Sequence, residues 1–240
     1  MMLPAGGIGT IFVDIDGTLT HGRAGGRRAL HPLVELLMQR GVAIDAAREA
    51  VRAAEAAAAV APGMSWPFGA DRALGIETAE LTAHILATFP ACYAMHPDAN
   101  RFMTGLRRWG GPRVYPATTN PGLFILGKLA SGGLADATGT PVFDACFGGE
   151  EVCSGGKAGP GFYEALLART GSEASACIMV GDEPEPDLTY ARAADIRTVF
   201  IVCRDQPEPL RHGPDGGLFV NSLDVALAMI GSDKERHERT

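Results

Sequence analysis

Short apolar runs recur along the chain at residues 8–13, 113–119, 142–147, 176–180 and 198–202, and several lead through a polar or glycine-containing turn into a stretch of helical period. Strands that alternate with helices in this way must run parallel, because each helix returns the chain to the end of the sheet where the last strand began. Residues 162–170 (FYEALLART) and 188–194 (LTYARAA) supply two such helices, and Phe219-Val220 is expected to add a short edge strand. The pattern predicts an α/β fold, a doubly wound parallel sheet covered on both faces.

Between residues 20 and 95 the character changes. No strand is expected there. Residues 30–40 (LHPLVELLMQR), 45–60 (DAAREAVRAAEAAAAV) and 79–88 (AELTAHILAT) are good helix formers at helical spacing, with Asp45 expected to cap the second. Joints rich in glycine or proline flank this block at 21–28 and 89–97. The expected organisation is a catalytic core from residues 1–20 and 96–230, an all-helical cap at 21–95 inserted after the first strand, and a charged, mobile tail at 231–240.

Composition excludes several classes. A net charge of −7 argues against a nucleic-acid partner, which would show as a basic stripe. No apolar stretch is long enough to span a membrane, and the N-terminus carries no basic or long apolar leader, so a cytoplasmic protein is expected. Cys92, Cys146, Cys153, Cys177 and Cys203 are odd in number and contain no CxxC pair, which reads as small buried side chains in a reducing compartment. Lysines are scarce: Lys128, Lys157 and Lys234 stand against eighteen arginines.

In an open parallel sheet, functional groups gather at the carboxyl ends of the strands. The first run ends in Asp14 and Asp16, within Asp14-Ile15-Asp16-Gly17-Thr18. The second ends in Thr118-Thr119-Asn120. After the third comes Ser154-Gly155-Gly156-Lys157, and the fourth ends in Gly181-Asp182-Glu183, with Asp187 five residues beyond Asp182. Carboxylates, a hydroxyl and a rare lysine converging on one spot suit phosphoryl transfer. Hard oxygen ligands favour Mg²⁺, a lysine and a threonine offer charge and a donor to phosphoryl oxygens, and a carboxylate can attack phosphorus. Rival patterns fail. The DxDGT run has its glycine at the wrong position for an EF-hand. Glu151 and Ala158 spoil a Walker A loop around Lys157, and no GxGxxG or GxSxG is found where it would be needed.

These four groups resemble, in order, the motifs of the haloacid-dehalogenase superfamily, composed mostly of Mg²⁺-dependent phosphatases. The resemblance spans about residues 8 to 202. It implies that Asp14 is the nucleophile and a Mg²⁺ ligand. Asp16 is the acid and then the base, with its main-chain carbonyl on the metal. Thr119 and Lys157 hold the phosphoryl group with Asn120 in support, Asp182 binds Mg²⁺, and Asp187 orients Lys157 or the metal's waters. Glu183 is a weaker supporting candidate. Two departures stand out. Lys157 is followed by Ala158-Gly159 where the family has proline, and Thr118 is a substitute candidate for Thr119.

Within the resemblance, an acid at position 16 favours phosphoester chemistry over dehalogenation. The absence of lysine from residues 20–95 removes the Schiff base that a phosphonate-cleaving relative needs. The expected function is hydrolysis of a small phosphorylated metabolite. A phosphomutase would share every motif. A non-catalytic phosphate-binding protein would be expected to lack one, and none is missing. His21, Arg23, Arg27 and Arg28 are candidates for contact with an anionic substrate, and Trp66 and Phe68 for an apolar specificity loop. His84 and His96 lack metal-ligand spacing and are expected in the core or at the surface.

Overall fold

The computed structural model describes residues 7–24, 30–58, 67, 69–135, 142–153, 156–213 and 215–237. Strand β1 (Thr10–Val13) turns at Gly17 into β2 (Thr20–Gly22). Helices α1 (Pro32–Gln39), α2 (Ile44–Ala58), α3 (Ala70–Ala73) and α4 (Thr78–Cys92) follow, and β3 (Tyr93–Met95) returns antiparallel to β2. The chain continues through α5 (Ala99–Trp109), β4 (Arg113–Pro116), α6 (Gly122–Ala130), α7 (Gly149–Val152), α8 (Gly161–Thr170), β5 (Cys177–Gly181), α9 (Tyr190–Ala193), β6 (Thr198–Val202), β7 (Leu210–His212), β8 (Leu218–Val220) and α10 (Leu223–His237). The main sheet has the order β4-β1-β5-β6-β8-β7, parallel throughout except for β7.

The apolar alternation of each strand explains both faces. Ile11, Val13, Ile178, Val180, Phe200 and Val202 point to one side and pack with α5, α6 and α10. Phe12, Met179, Val199 and Ile201 point to the other and pack with Phe162, Tyr163 and Leu166 of α8. The chain leaves β1 for β4 on one side and later for β5 on the other. The crevice at the carboxyl end of β1 is therefore a topological switch point, where such sheets bind ligands.

The helices between β2 and β3 form a separate apolar core from Leu33, Leu36, Leu37, Val51, Ile76, Leu81, Ile85 and Phe89. Leu123 and Phe124 of α6 pack against it. A Cβ added at Gly127 would lie 2.5 Å from Ile85 Cγ2 and 2.7 Å from Phe89 Cδ2, so only glycine permits this approach of α6 to α4.

Several expectations are corrected. Residues 142–147 form no strand: Asp144 N–H donates to Val114 O at 2.9 Å, but the Val114 N–H is taken by the Asp144 side chain at 2.6 Å, which ends the ladder. The block at 20–95 does carry strand structure, the β2–β3 ribbon at its two joints. Asp45 lies inside the first turn of α2, which begins at Ile44, so it complements the helix dipole in place of capping. Residues 184–189 wind into a π-helical turn ahead of the short α9. β8 is internal and the antiparallel β7 forms that edge. The segment 231–237, expected as tail, continues α10. Arg27, Arg28, Trp66, Phe68, Ser154 and Gly155 lie outside the described residues.

Candidate active site

Asp14, one residue past β1, has its N–H bonded to Val180 O of β5, which fixes its backbone between the two central strands. Its carboxylate is buried and accepts from Lys157 Nζ at 2.7 Å through Oδ1. Lys157 also donates to Ala117 O at 2.9 Å and pairs with Asp187. Burial pushes the Asp14 carboxyl up to about 7; Lys157 pulls against this, and Asp187 and Asp182 add to the rise. Burial works against the Lys157 ammonium, but the charges of Asp14 and Asp187 outweigh it and hold it above its ordinary value.

Gly17 has φ +78°, and a Cβ there would meet Asp182 Oδ2 at 2.0 Å, so this turn needs glycine for both reasons. Thr18 donates to Asp182 Oδ1 at 2.9 Å, tying the first loop to the fourth. Arg204, which the sequence reading missed, clamps the same loop: it donates to Gly17 O and Thr18 O and pairs with Asp98 at 3.1 Å. Nothing in the sequence separates it from the other arginines.

Asp187 is fully buried, brought back by the π turn. Its Oδ2 accepts the N–H groups of Asp182 and Glu183, both at 3.0 Å, and its Oδ1 faces Lys157 and the Tyr163 hydroxyl. At Gly181 a Cβ would lie 2.1 Å from Asp187 Oδ2. Gly181→Ala is therefore expected to displace Asp187 and lower the melting temperature by roughly 2–10 °C, checked by thermal unfolding.

Of the two threonines, Thr118 is buried and its hydroxyl accepts from the Asn120 side chain at 2.7 Å, whereas Thr119 is exposed and lines the cleft. The cleft, about 320 Å³, is lined by Asp14, Asp16, Thr118, Thr119, Asn120, Lys157, Glu183, Pro186 and Asp187. The sequence-derived residues thus meet at one place, with Asp182 outside the lining but beside Asp14 and Asp187. His21 and Arg23 do not line it. Arg23 donates to Pro90 O and Tyr93 O across the β2–β3 ribbon, and His21 packs against His96 with the rings tilted and their centroids 4.6 Å apart. Burial, Arg204 and His21 push the His96 imidazole down to about 4. His84 of α4 is buried against Glu35 of α1 at 2.9 Å.

Asp16 is the half-exposed carboxylate. Beside Thr20 Oγ1 at 3.2 Å and Asn120 Nδ2 at 2.8 Å, it receives Lys128 Nζ at 2.7 and 2.6 Å on its two oxygens. Sequence reasoning noted Lys128 for its rarity alone.

Among the described residues, Asp14, Asp182 and Asp187 place one ligand atom each within 4.8 Å of one another. When ionised they exceed the single charge of Lys157 by two, the charge of a divalent cation. The oxygens of Asp187 are already engaged, which leaves Asp14 and Asp182 to hold a metal. Two hard carboxylates beside this cleft fit Mg²⁺.

A family model for haloacid dehalogenase-like hydrolases matches residues 8–195, and the chain belongs to that family. Compared with curated proteins, it matches none. Among solved structures it is similar to a HAD phosphatase from Thermococcus onnurineus (19% identity, TM-score 0.53, covering 93% of this chain and 98% of that one). It also resembles a putative β-phosphoglucomutase from Thermotoga maritima (17%, 0.54, 94% and 99%) and the L-2-haloacid dehalogenase RSc1362 (16%, 0.51, 94% and 99%). At such identities the likeness is one of fold, and the reaction must be argued from the site.

Proposed function

We propose that this hydrolase cleaves a small phosphorylated metabolite, a phosphomonoester, through a covalent aspartyl-phosphate on Asp14. The observation that carries the reading is the pairing of a buried Asp14 with Lys157 on the floor of a cleft that also presents Asp16 and Thr119. Asp14 attacks phosphorus and the bond to the ester oxygen breaks. Asp16 gives that oxygen its proton. Asp16 then takes a proton from water as the water oxygen attacks the same phosphorus, and the bond to Asp14 breaks with its electron pair returning to the carboxylate. Lys157 and Thr119 stabilise the phosphoryl oxygens, and Asn120 steadies Asp16. Asp187 orients Lys157.

Asp14, Asp182 and the main-chain carbonyl of Asp16 are the groups that would hold Mg²⁺. When bound, the ion neutralises charge developing on the phosphoryl group. An acidic residue at position 16 supports phosphoester over haloacid chemistry. The five cysteines, none of them in a disulfide, suit a reducing, cytoplasmic setting, and among the described residues no helix is long and apolar enough to cross a membrane.

The test is release of inorganic phosphate from an aryl phosphate with Mg²⁺, lost on chelation, alongside halide release from 2-haloacids and isomerisation of sugar phosphates. Phosphate release alone is the expected result. Halide release or isomerised product without free phosphate overturns the reading.

A further inference from the structure

Lys128 has no task in the steps above, yet it is almost wholly buried, 3% exposed, on the cleft side of α6. An ammonium taken out of water is costly unless each proton finds an acceptor. Here all three do: Asp16 Oδ1 at 2.7 Å, Asp16 Oδ2 at 2.6 Å and Asn120 Oδ1 at 2.7 Å. The Tyr93 ring lies 4.7 Å from Nζ on a further side. No donor remains for a substrate, so Lys128 acts through Asp16.

We propose that Lys128 is a positioning residue for the hydrolytic half of the reaction, holding Asp16 as an oriented carboxylate that receives the proton of the attacking water. The inference rests on the phosphatase reading. Asp16 sits on a turn with its side chain 51% exposed, where a free carboxylate would sample several rotamers. Lys128, Thr20 and Asn120 together supply four hydrogen bonds to its two oxygens. Each donor is itself fixed. Asn120 is locked by Thr118, Thr20 belongs to β2, and Lys128 follows Gly127, whose close approach to Ile85 and Phe89 sets the position of α6. Catalytic groups gain most from such rigid support.

The experiment compares wild type, Lys128→Met, Lys128→Gln and Asp16→Asn with p-nitrophenyl phosphate and Mg²⁺, in the pre-steady state and at steady state. Nitrophenolate leaves without protonation, so formation of the aspartyl-phosphate tolerates a misplaced Asp16 while its hydrolysis does not. For Lys128→Met we expect a burst of about one nitrophenolate per enzyme at the wild-type rate. Steady-state kcat should then fall roughly 10- to 100-fold and KM with it, leaving kcat/KM near the wild-type value. Acid-quenched protein should carry a phosphoryl group by intact mass. In the Asp16→Asn background, Lys128→Met should add little further loss. Lys128→Gln serves in the same role if the methionine variant folds poorly. Equal loss of burst and turnover, an additive loss in the Asp16→Asn background, unchanged kinetics, or faster turnover from a released Asp16 overturns the inference alone. A wild type that neither releases phosphate nor becomes phosphorylated overturns the phosphatase reading and this inference with it.

Discussion

Asp14→Asn is expected to lower phosphate release by at least roughly a thousand-fold and to leave the fold intact. The amide keeps the shape of the carboxylate but offers phosphorus no anionic oxygen, so no covalent intermediate forms. The backbone bond from residue 14 to Val180 O is unaffected. Lys157 retains Asp187 and Ala117 O as acceptors, so the substitution does not strand a buried charge. The check is steady-state phosphate release, intact mass after acid quench and a melting curve. Activity near the wild-type level in a folded Asp14→Asn protein would sink the nucleophile assignment.

The same carboxylate makes the metal-free protein less stable as pH rises. Its ordinary value is 3.8 and burial lifts it to about 7, so between those pH values the folded chain keeps a proton that the unfolded chain has lost. Stability is therefore highest at the acid end of that window, falls as pH climbs, and levels off above about 7. Asp182, also raised by burial, pushes in the same direction. Lys157 is raised above 10.5, so its contribution holds throughout the window and is lost only at higher pH. The penalty is on the order of 4 kcal/mol at pH 8. Two results are expected in thermal unfolding. Millimolar Mg²⁺ should raise the melting temperature more at pH 8 than at pH 5, and metal-free Asp14→Asn should melt about 4–12 °C above the wild type at pH 8. A Mg²⁺ shift independent of pH would contradict this account of the site.

The parallel sheet and the polar ends of β1, β4 and β5 were legible because burial on both faces demands unbroken apolar runs, and any charge at their ends is conspicuous. Gly17 and Gly181 were legible as part of their motifs, though the reason for each is a side chain from elsewhere in the chain, Asp182 and Asp187. Short strands carry no period, so β2, β3 and β7 left no signal. Residues 142–147 read as a strand because VFDACF is apolar enough, and nothing local shows that Asp144 turns its side chain onto the backbone of Val114. The role of Lys128 was hidden for a related cause. A helical lysine reads as solvent-facing until the acceptors it meets, from residues 16 and 120, are placed around it.

The bond from Val114 N–H to the Asp144 carboxylate also bears on how molecules of this protein meet one another. β4 is the outermost strand on its side of the sheet, and an unpaired outer strand is a template for the strand of a second molecule. At Val114 both the donor and the acceptor are already engaged by Asp144, which is itself paired with Arg107 at 3.0 Å. A strand arriving from another copy would have to displace a charged pair before gaining its first hydrogen bond there. The interruption that shortens the sheet thus also discourages self-association along this edge.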